Sequence, residues 1–233
     1  MLMAERMKKI SHLLNGAYGK PLPRRRSDPV DELIRTILSQ NTNDKNSLAA
    51  FAILKAKFKP WERLLKSDVK SIASAIKHAG LANIKALRIK EVLDEIKTRE
   101  GRLSLSRLGR SSVEDALEYL RSLKGVGPKT ASCVMLFSFG KPVMPVDTHI
   151  FRVAKRLGLI PQDMDVAAAH KCFTDMTPKH LIYNLHLGII EHGRRTCKAE
   201  NPRCGSCVLY GMCAFKLKKL YRDRCDGDKK SHG

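Results

Sequence analysis

Four cysteines near the C-terminal end are spaced closely enough to share a metal centre. They are Cys197, Cys204, Cys207 and Cys213, in the pattern C-x6-C-x2-C-x5-C. Zinc ribbons and fingers usually present two short Cys-x-x-Cys pairs, and this stretch has one such pair. A [4Fe-4S] cluster also takes four thiolates and tolerates wider loops. The pattern predicts a metal centre, with a [4Fe-4S] cluster favoured and structural zinc as the first rival.

Two glycines stand one residue apart between two predicted helices, in the segment L-K-G-V-G-P-K-T-A of residues 123–131. Because glycine has no Cβ, such a turn lets main-chain N–H groups approach a phosphate, and the following helix adds its positive dipole end. This is the logic of a helix-hairpin-helix, which holds the nucleic-acid backbone without reading its sequence. We expect Gly125, Val126, Gly127 and Thr130 to contact DNA, with a tight helix connection as the alternative.

Lys129 lies in the first turn of the helix after these glycines, where a cation is unfavourable against the helix dipole. A lysine whose ammonium is destabilised by burial or by a positive helix end loses its proton more easily and becomes a Schiff-base nucleophile. It then needs a carboxylate neighbour, which Asp147 supplies just before a later helix. The alternatives are a phosphate-pairing lysine and an aspartate that only caps its helix.

The composition fits a protein that binds a polyanion. The 233 residues include 44 Lys and Arg against 23 Asp and Glu, a formal net charge of +21. Hydrophobic residues make up 43%, enough for a core, which excludes a histone-like tail. No apolar run approaches the roughly 20 residues of a membrane span, and the first residues lack a signal peptide's apolar stretch. We expect an intracellular protein, cytoplasmic and nucleoid-associated, or nuclear in a eukaryote. In such a reducing compartment the seven cysteines favour a metal centre over disulfides.

Apolar residues recur at helical spacing along most of the chain. A helix is predicted over residues 28–40 with Pro29 at its first position, and further helices after the candidate cap Ser67 and after Ser111 and Ser112. The apolar positions are Val30, Leu33, Ile34, Ile37 and Leu38; Val69, Ile72, Ala73 and Ile76; Ile84, Leu87, Val92, Leu93 and Ile96; and Val113, Ala116, Leu117 and Leu120. Sustained alternation typical of strands is missing, so the predicted fold class is all-α with two helical domains.

The periodicity breaks at residues 20–27 and again at 140–145, which suggests the domain boundaries. We predict one helical domain over residues 28–143, a second built from 1–27 and 144–215, and a basic tail over 216–233. Cys133 and Cys172 fall on apolar helix faces and are expected to be packing residues. Cys225 has no predicted partner.

Three motifs resemble the endonuclease III family of the helix-hairpin-helix DNA glycosylase superfamily. They are the glycine segment of residues 123–131, P-V-D-T-H-I-F-R-V at 145–153, and H-G-R-R-T-C followed by the other cysteines at 192–213, in the family's order. The likeness runs from about residue 28 to 215. It implies a six-helix barrel that carries the hairpin, a second helical domain with a [4Fe-4S] cluster loop, and duplex DNA bound in the cleft between them.

The resemblance also implies roles for individual residues. Lys129 would attack C1′ of a flipped, damaged nucleotide, and Asp147 would help deprotonate the lysine or stabilise positive charge on the sugar. Flipping leaves a gap in the duplex. Gln40 and Leu81 match the family residues that enter that gap, although Gln40 could equally end its helix and Leu81 could belong to the core.

Two further residues stand in matching motifs. His149 is either a DNA contact or a structural residue at a helix start, and Arg194 belongs to the basic stretch that leads into the cysteine loop.

The expected activity is that of a bifunctional DNA glycosylase and abasic-site lyase that acts on oxidised pyrimidines, as a monomer. The family's bacterial members commonly carry A-Q-A-T-D where residues 39–43 read S-Q-N-T-N, which leaves the preferred lesion open. The alternatives are a mismatch-directed or other glycosylase on the same scaffold, a noncatalytic DNA-binding module, and a zinc-stabilised RNA binder.

Overall fold

The computed structural model describes residues 2–223, whose regular structure is entirely helical. No strand occurs in that span, so the predicted all-α fold class is confirmed. The chain divides into two compact units, a central unit of Arg25–Lys141 and a terminal unit of Met1–Arg24 with Pro142–Gly233. Among the described helices, none is both long and apolar enough to cross a bilayer.

The helices follow one another with short connections. The α-helices are α1 (Met3–Tyr18), α2 (Pro29–Leu38), α3 (Asp44–Phe58), α4 (Glu62–Lys66), α5 (Val69–Ala75), α6 (Ala82–Glu100), α7 (Val113–Ser122), α8 (Pro128–Phe139), α9 (Thr148–Leu157), α10 (Val166–Met176) and α11 (Ile182–Arg195). Short 3-10 helices lie at Lys77–Ala79, Ser106–Gly109, Lys179–Leu181, Cys204–Ser206 and Tyr210–Met212. Residues 218–223 are also helical.

The units of the structure divide the chain close to the predicted domain boundaries. The central unit begins at Arg25 and ends at Lys141, where the sequence suggested residues 28 and 143. It contains α2 to α8, one helix more than the six that the resemblance implied, because an extended Ser67 separates the short α4 from α5. The predicted tail, 216–233, is described as far as residue 223, and the rest of it, with Cys225, lies outside the described residues.

Helix α2 forms much of the core of the central unit, where it packs against α3, α6 and α8. Its start is as predicted, since Pro29 takes the first position and the carboxylate of Asp28 accepts the N–H groups of Val30 at 3.0 Å and Asp31 at 3.1 Å. All five predicted apolar positions of α2 are at most 1% exposed. Each such side chain contributes about 1.5–3 kcal/mol by leaving water.

The predicted cap of α5 is wrong by one residue. Asp68 is the N-cap, and its side chain accepts the N–H of Ser71 at 2.7 Å. Ser67 instead ends α4, and its hydroxyl donates to the carbonyl oxygen of Arg63 at 2.8 Å. Both residue types cap helices well, and only the backbone path decides which one lies at the N-cap.

The predicted apolar face of α6 is only partly correct. Val92, Leu93 and Ile96 are buried, whereas Ile84 is 54% and Leu87 48% exposed. The buried face of the first two turns passes through other positions, since Lys85 and Ala86 are buried there. Helical spacing defines which residues share a face, but the packing neighbours decide which face is covered.

Helix α11 is central to the terminal unit, where it packs against both α1 and α9. Gly188 allows α1 to approach closely, because a Cβ at this position would lie 3.3 Å from Cβ of Leu14. Arg6, also on α1, donates to the carbonyl oxygens of Gly158 at 3.2 Å and Met212 at 3.3 Å. These bonds attach α1 both to the end of α9 and to the segment that carries the cysteines.

Candidate functional site

The glycine turn lies between α7 and α8 as the sequence predicted. Gly125 has φ +79°, a conformation that favours glycine over any residue with a Cβ. Val126 is only 5% exposed, and its N–H donates to the carbonyl oxygen of Leu123 at 3.0 Å. Val126 therefore anchors the turn to the core, and its predicted contact with DNA stays a prediction.

The turn and the start of α8 present a row of unused main-chain donors. Among residues 2–223, no described acceptor pairs with the N–H groups of Gly125, Gly127, Lys129 or Thr130. No atom of residues 2–223 lies within 4 Å of where a Cβ on Gly127 would stand. Free amides at a helix N-terminus bind anions such as phosphate, because the helix dipole adds to their hydrogen bonds. The side chain of Thr130 is buried, so this residue can contribute only its N–H.

Lys129 is the second residue of α8 and is half-buried beside these amides. Within its own unit, the Lys129 ammonium forms no hydrogen bond and no ion pair with a described residue. A lysine so placed is free to reach a bound sugar-phosphate, which is what both phosphate pairing and nucleophilic attack require.

Gln40 and Leu81 lie on two neighbouring turns of the same unit. Helix α2 ends at Leu38, and the Gln40 side-chain oxygen accepts a hydrogen bond from Nη1 of Arg88 at 2.7 Å. Leu81 is 52% exposed with φ +50°, so it is not a core residue. The turns are close, since a Cβ on Gly80 would lie 3.9 Å from the carbonyl oxygen of Asn41.

Sequence reasoning missed two residues that join these turns. Lys85 is 2% exposed and donates to the carbonyl oxygens of Leu38 at 2.8 Å and Ala79 at 2.7 Å, and burial lowers its pKa. Arg88 lies one turn further along α6, against both Gln40 and the glycine turn. The signal for Lys85 was a charged residue at core spacing, four positions before Ile89 and seven before Val92.

Asp147 and His149 belong to the terminal unit. Asp147 is half-buried and caps α9 as predicted, since its Oδ1 accepts the N–H of Ile150 at 2.8 Å. His149 is half-buried against Gly193, and Arg152 donates to its Nδ1 at 3.1 Å. Burial and, to a smaller extent, the charge of Arg152 lower the pKa of His149. The charge of Asp147 acts in the opposite direction and offsets part of this lowering.

Arg194 is exposed near the end of α11, just before the first cysteine of the loop. Its predicted contact with DNA stays a prediction.

The four spaced cysteines line one small cavity. Burial and, to a smaller extent, the neighbouring cysteines raise the pKa of Cys207 to about 12. No three Cys, His, Asp or Glu side chains in residues 2–223 are grouped to hold a single metal ion. Of the two cysteines predicted to be packing residues, Cys133 is buried and Cys172 is half-buried.

Arginines of α9 fix the cysteine loop. Arg156 donates to the carbonyl oxygens of Lys198 at 2.6 Å and Ala199 at 2.9 Å, and its Nη1 lies 3.5 Å from Sγ of Cys197. Arg152 donates to the carbonyl oxygen of Cys197 at 3.1 Å. The loop therefore has a defined path that depends on charged side chains from outside it.

The two units thus contain separate parts of the predicted site. The central unit holds Lys129, Gln40, Leu81 and the glycine turn, and α6 connects the last three. The terminal unit holds Asp147, His149, Arg194 and the cysteines.

Residues 34–176 match the HhH-GPD superfamily of base excision DNA repair proteins, and the chain belongs to this superfamily. A putative DNA glycosylase of Arabidopsis thaliana is 41% identical over 71% of this chain and 56% of its own length, so this chain spans little more than half of that relative. The endonuclease III of Sulfolobus acidocaldarius is 35% identical over 81% of this chain and 82% of its own. A solved non-covalent complex of endonuclease III with DNA matches with a TM-score of 0.78 at 27% identity, over 94% of this chain and 99% of that one.

These matches confirm the resemblance to the endonuclease III family and the predicted enzyme class, a DNA glycosylase of base excision repair. The solved structure to which the chain is similar is a complex with DNA. The preferred lesion, the lyase step and the metal centre depend on individual side chains of this protein.

Proposed function

We propose that the protein is a bifunctional DNA glycosylase and abasic-site lyase that removes oxidised pyrimidines, of the thymine glycol type, from duplex DNA. It acts as a monomer in the compartment that holds the genome. The observation that carries the proposal is the position of Lys129, for which no partner occurs among residues 2–223, beside main-chain N–H groups of the glycine turn and the start of α8 that likewise have no partner in that span. The amides suit a DNA phosphate, and the lysine beside them suits the sugar attached to it.

The reaction uses the Lys129 amine as nucleophile. Its Nζ forms a bond to C1′ of the flipped nucleotide while the bond from C1′ to the base breaks, and the base leaves with the electron pair and gains a proton. The sugar ring opens to a protonated Schiff base, loses a proton from C2′, and the bond between C3′ and its phosphate oxygen breaks. This is β-elimination, and it nicks the strand.

Asp147 supplies the carboxylate for this sequence. Its Oδ1 accepts the N–H of Ile150, and the resemblance assigns this carboxylate the role of taking a proton from the lysine or stabilising positive charge on the sugar. His149 supports the start of the same helix through Arg152, and its position in the motif suits a DNA contact.

The four cysteines hold a [4Fe-4S] cluster. Support comes from the cavity that all four cysteines line, and from their spacing, which has one short Cys-x-x-Cys pair where zinc ribbons and fingers usually have two. When bound, the cluster supplies four metal–thiolate bonds that tie the loop together and takes no part in bond cleavage. The residues of the chain then present the basic segment around Arg194 toward a polyanion.

The test is borohydride trapping on duplexes that each contain one thymine glycol, uracil, mismatched thymine, 8-oxoguanine or abasic site. We expect the wild type to form covalent adducts with thymine glycol and abasic DNA, and Lys129→Gln to form none. Lys97→Gln, which changes an exposed lysine on α6, is the control and should match the wild type. Base release without any adduct would overturn the lyase mechanism, and adducts with mismatched thymine alone would overturn the lesion class.

Asp147→Asn separates charge from capping, because asparagine is as good an N-cap as aspartate. We expect its unfolding midpoint to stay at the wild-type value while adduct formation slows by at least tenfold. An unchanged rate would remove Asp147 from the mechanism.

A further inference from the structure

We propose that Lys85 and Arg88 on α6 are positioning residues that hold Gln40 and Leu81 in the conformation that fills the gap in the duplex. The inference rests on the proposed function, because it concerns the same DNA-binding surface. Neither residue is expected to touch the reacting atoms. They act through the two turns that carry Gln40 and Leu81.

The Lys85 ammonium connects the two turns directly. It donates to the last carbonyl of α2, that of Leu38, two residues before Gln40. It also donates to the carbonyl of Ala79, two residues before Leu81. One buried cation therefore fixes the spacing of two segments that are far apart in sequence. Both carbonyls end helical segments, where main-chain oxygens otherwise lack partners.

The two turns need such support because each contains a non-glycine residue in the left-handed region. Asn41 has φ +51° and Leu81 has φ +50°. Leucine rarely adopts this conformation, and such residues persist where the surrounding structure enforces them. Functional sites are where such conformations concentrate. Here the enforced conformation leaves a large apolar side chain 52% exposed.

Arg88 orients the Gln40 side chain and also abuts the glycine turn. Its Nη1 donates to Oε1 of Gln40 at 2.7 Å, which fixes which end of the amide faces away from α6. Its side chain occupies the space beside Gly125, where an added Cβ would lie 2.6 Å from Cδ of Arg88. Residues three apart share a helix face. Lys85 and Arg88 therefore attach the turns that carry Gln40 and Leu81, and the glycine turn, to the same face of α6.

A positioning role has a consequence that a general effect on folding lacks. Gap filling matters only where a nucleotide leaves a stacked duplex, and an abasic site in single-stranded DNA has no opposite base to separate. Loss of Lys85 or Arg88 should therefore impair reaction with duplex DNA and spare reaction with single strands. A structural defect would impair both.

The experiment compares single-turnover borohydride trapping on an abasic site in a duplex and in the same strand alone. The variants are Lys85→Met, Arg88→Met, Gln40→Ala and Leu81→Ala, with Lys97→Met as the matched control on the exposed side of α6. For Lys85→Met and Arg88→Met we expect at least a tenfold loss on the duplex and less than a twofold change on the single strand. An equal loss on both substrates, or no loss on the duplex, would overturn the proposal.

Arg88 also allows a test of what it acts through. If Arg88 works by holding Gln40, then Arg88→Met in the Gln40→Ala background should add less than twofold to the defect of Gln40→Ala alone. Full additivity would overturn that link. Should Lys85→Met fail to fold, shown by loss of helical circular dichroism, the Arg88 variants carry the test.

A second readout does not depend on the lyase step. A duplex with 2-aminopurine opposite a tetrahydrofuran abasic analogue reports separation of the opposite base by an increase in fluorescence. The wild type should increase the fluorescence at saturating protein, and Lys85→Met and Arg88→Met should give less than half of that change. If the wild type forms no adduct, the lyase proposal fails while this assay still decides on positioning, and equal fluorescence changes would reject it.

Discussion

The hydroxyl of Tyr18 on α1 lies 2.8 Å from Nδ1 of His192 on α11, and the other ring nitrogen of His192 lies 3.8 Å from Sγ of Cys207. The same hydroxyl lies 2.8 Å from Oγ1 of Thr196. A residue near the N-terminus thus supports the histidine that contacts the cysteine loop. Burial and, to a smaller extent, Arg152 lower the pKa of His192 to about 4, so its ring is neutral near pH 7.

Tyr18→Phe should lower the free energy of unfolding by about 1–2 kcal/mol, because two buried polar groups lose a hydrogen-bond partner. Urea unfolding followed by circular dichroism measures the change. Tyr210→Phe is the control, because no described hydrogen bond involves its hydroxyl. Equal stability of wild type and Tyr18→Phe would mean that the bond contributes nothing.

Asp31 provides a pH-dependent contribution to stability. Burial by itself raises the pKa of Asp31, but hydrogen bonds from Lys55, Lys59 and Trp61 outweigh burial and lower the pKa below its ordinary value of 3.8. The resulting stability is present above the ordinary pKa and is lost as the pH falls through the lower folded-state pKa. Asp31→Asn should cost about 2 kcal/mol at pH 7, since it removes a buried charge from its partners.

Urea midpoints between pH 7 and pH 2.5 measure this effect. The difference between wild type and Asp31→Asn should shrink toward zero below about pH 4. The exposed Asp94→Asn is the control. A difference that is constant with pH would contradict the assignment.

The two glycines of the turn should respond differently to alanine. Gly125→Ala meets a positive φ and the Arg88 side chain, and should cost about 1–3 kcal/mol of stability. Gly127→Ala enters open space and should change stability by less than about 1 kcal/mol. The added methyl group stands where a phosphate would approach. The affinity of the Gly127→Ala variant for an abasic-analogue duplex should therefore fall at least tenfold. Wild-type affinity in fluorescence anisotropy would show that these amides do not hold a phosphate.

Affinity for duplex DNA should fall steeply with salt, because the chain carries a net charge of +21. If about six phosphate contacts form, the loss is of the order of 10³-fold between 50 and 200 mM salt. Anisotropy titrations at four salt concentrations give the slope. A flat response would reject binding through phosphates.

Removal of one cysteine ligand should remove the metal centre. If the four cysteines hold a [4Fe-4S] cluster, the wild type should contain about four iron atoms per chain, and Cys207→Ser should lose most of this iron and its visible absorbance. Cys172→Ser, at a half-buried position on α10, should retain both. Zinc in place of iron in the wild type would refute the cluster.

The sequence alone determined the features that depend on residues close together in the chain. Helix α2 with Asp28 and Pro29 at its start, the glycine turn before α8, and Asp147 as the N-cap of α9 all follow from local spacing and capping chemistry. The four-cysteine pattern and the order of the motifs were specific enough to indicate the family.

Only the tertiary structure decided which helix faces are covered and which side chains meet. Periodicity grouped Ile84 and Leu87 with the core residues of α6, but about half of each side chain stays exposed (54% and 48%), while Lys85 between them is buried. Lys85 is buried because two carbonyls from distant turns converge on it, and spacing along one helix contains no information about such partners. Val126 and Thr130 were placed in the ligand site by their motif, yet packing buries both side chains, since the faces of α7 and α8 that meet are fixed by long-range contacts.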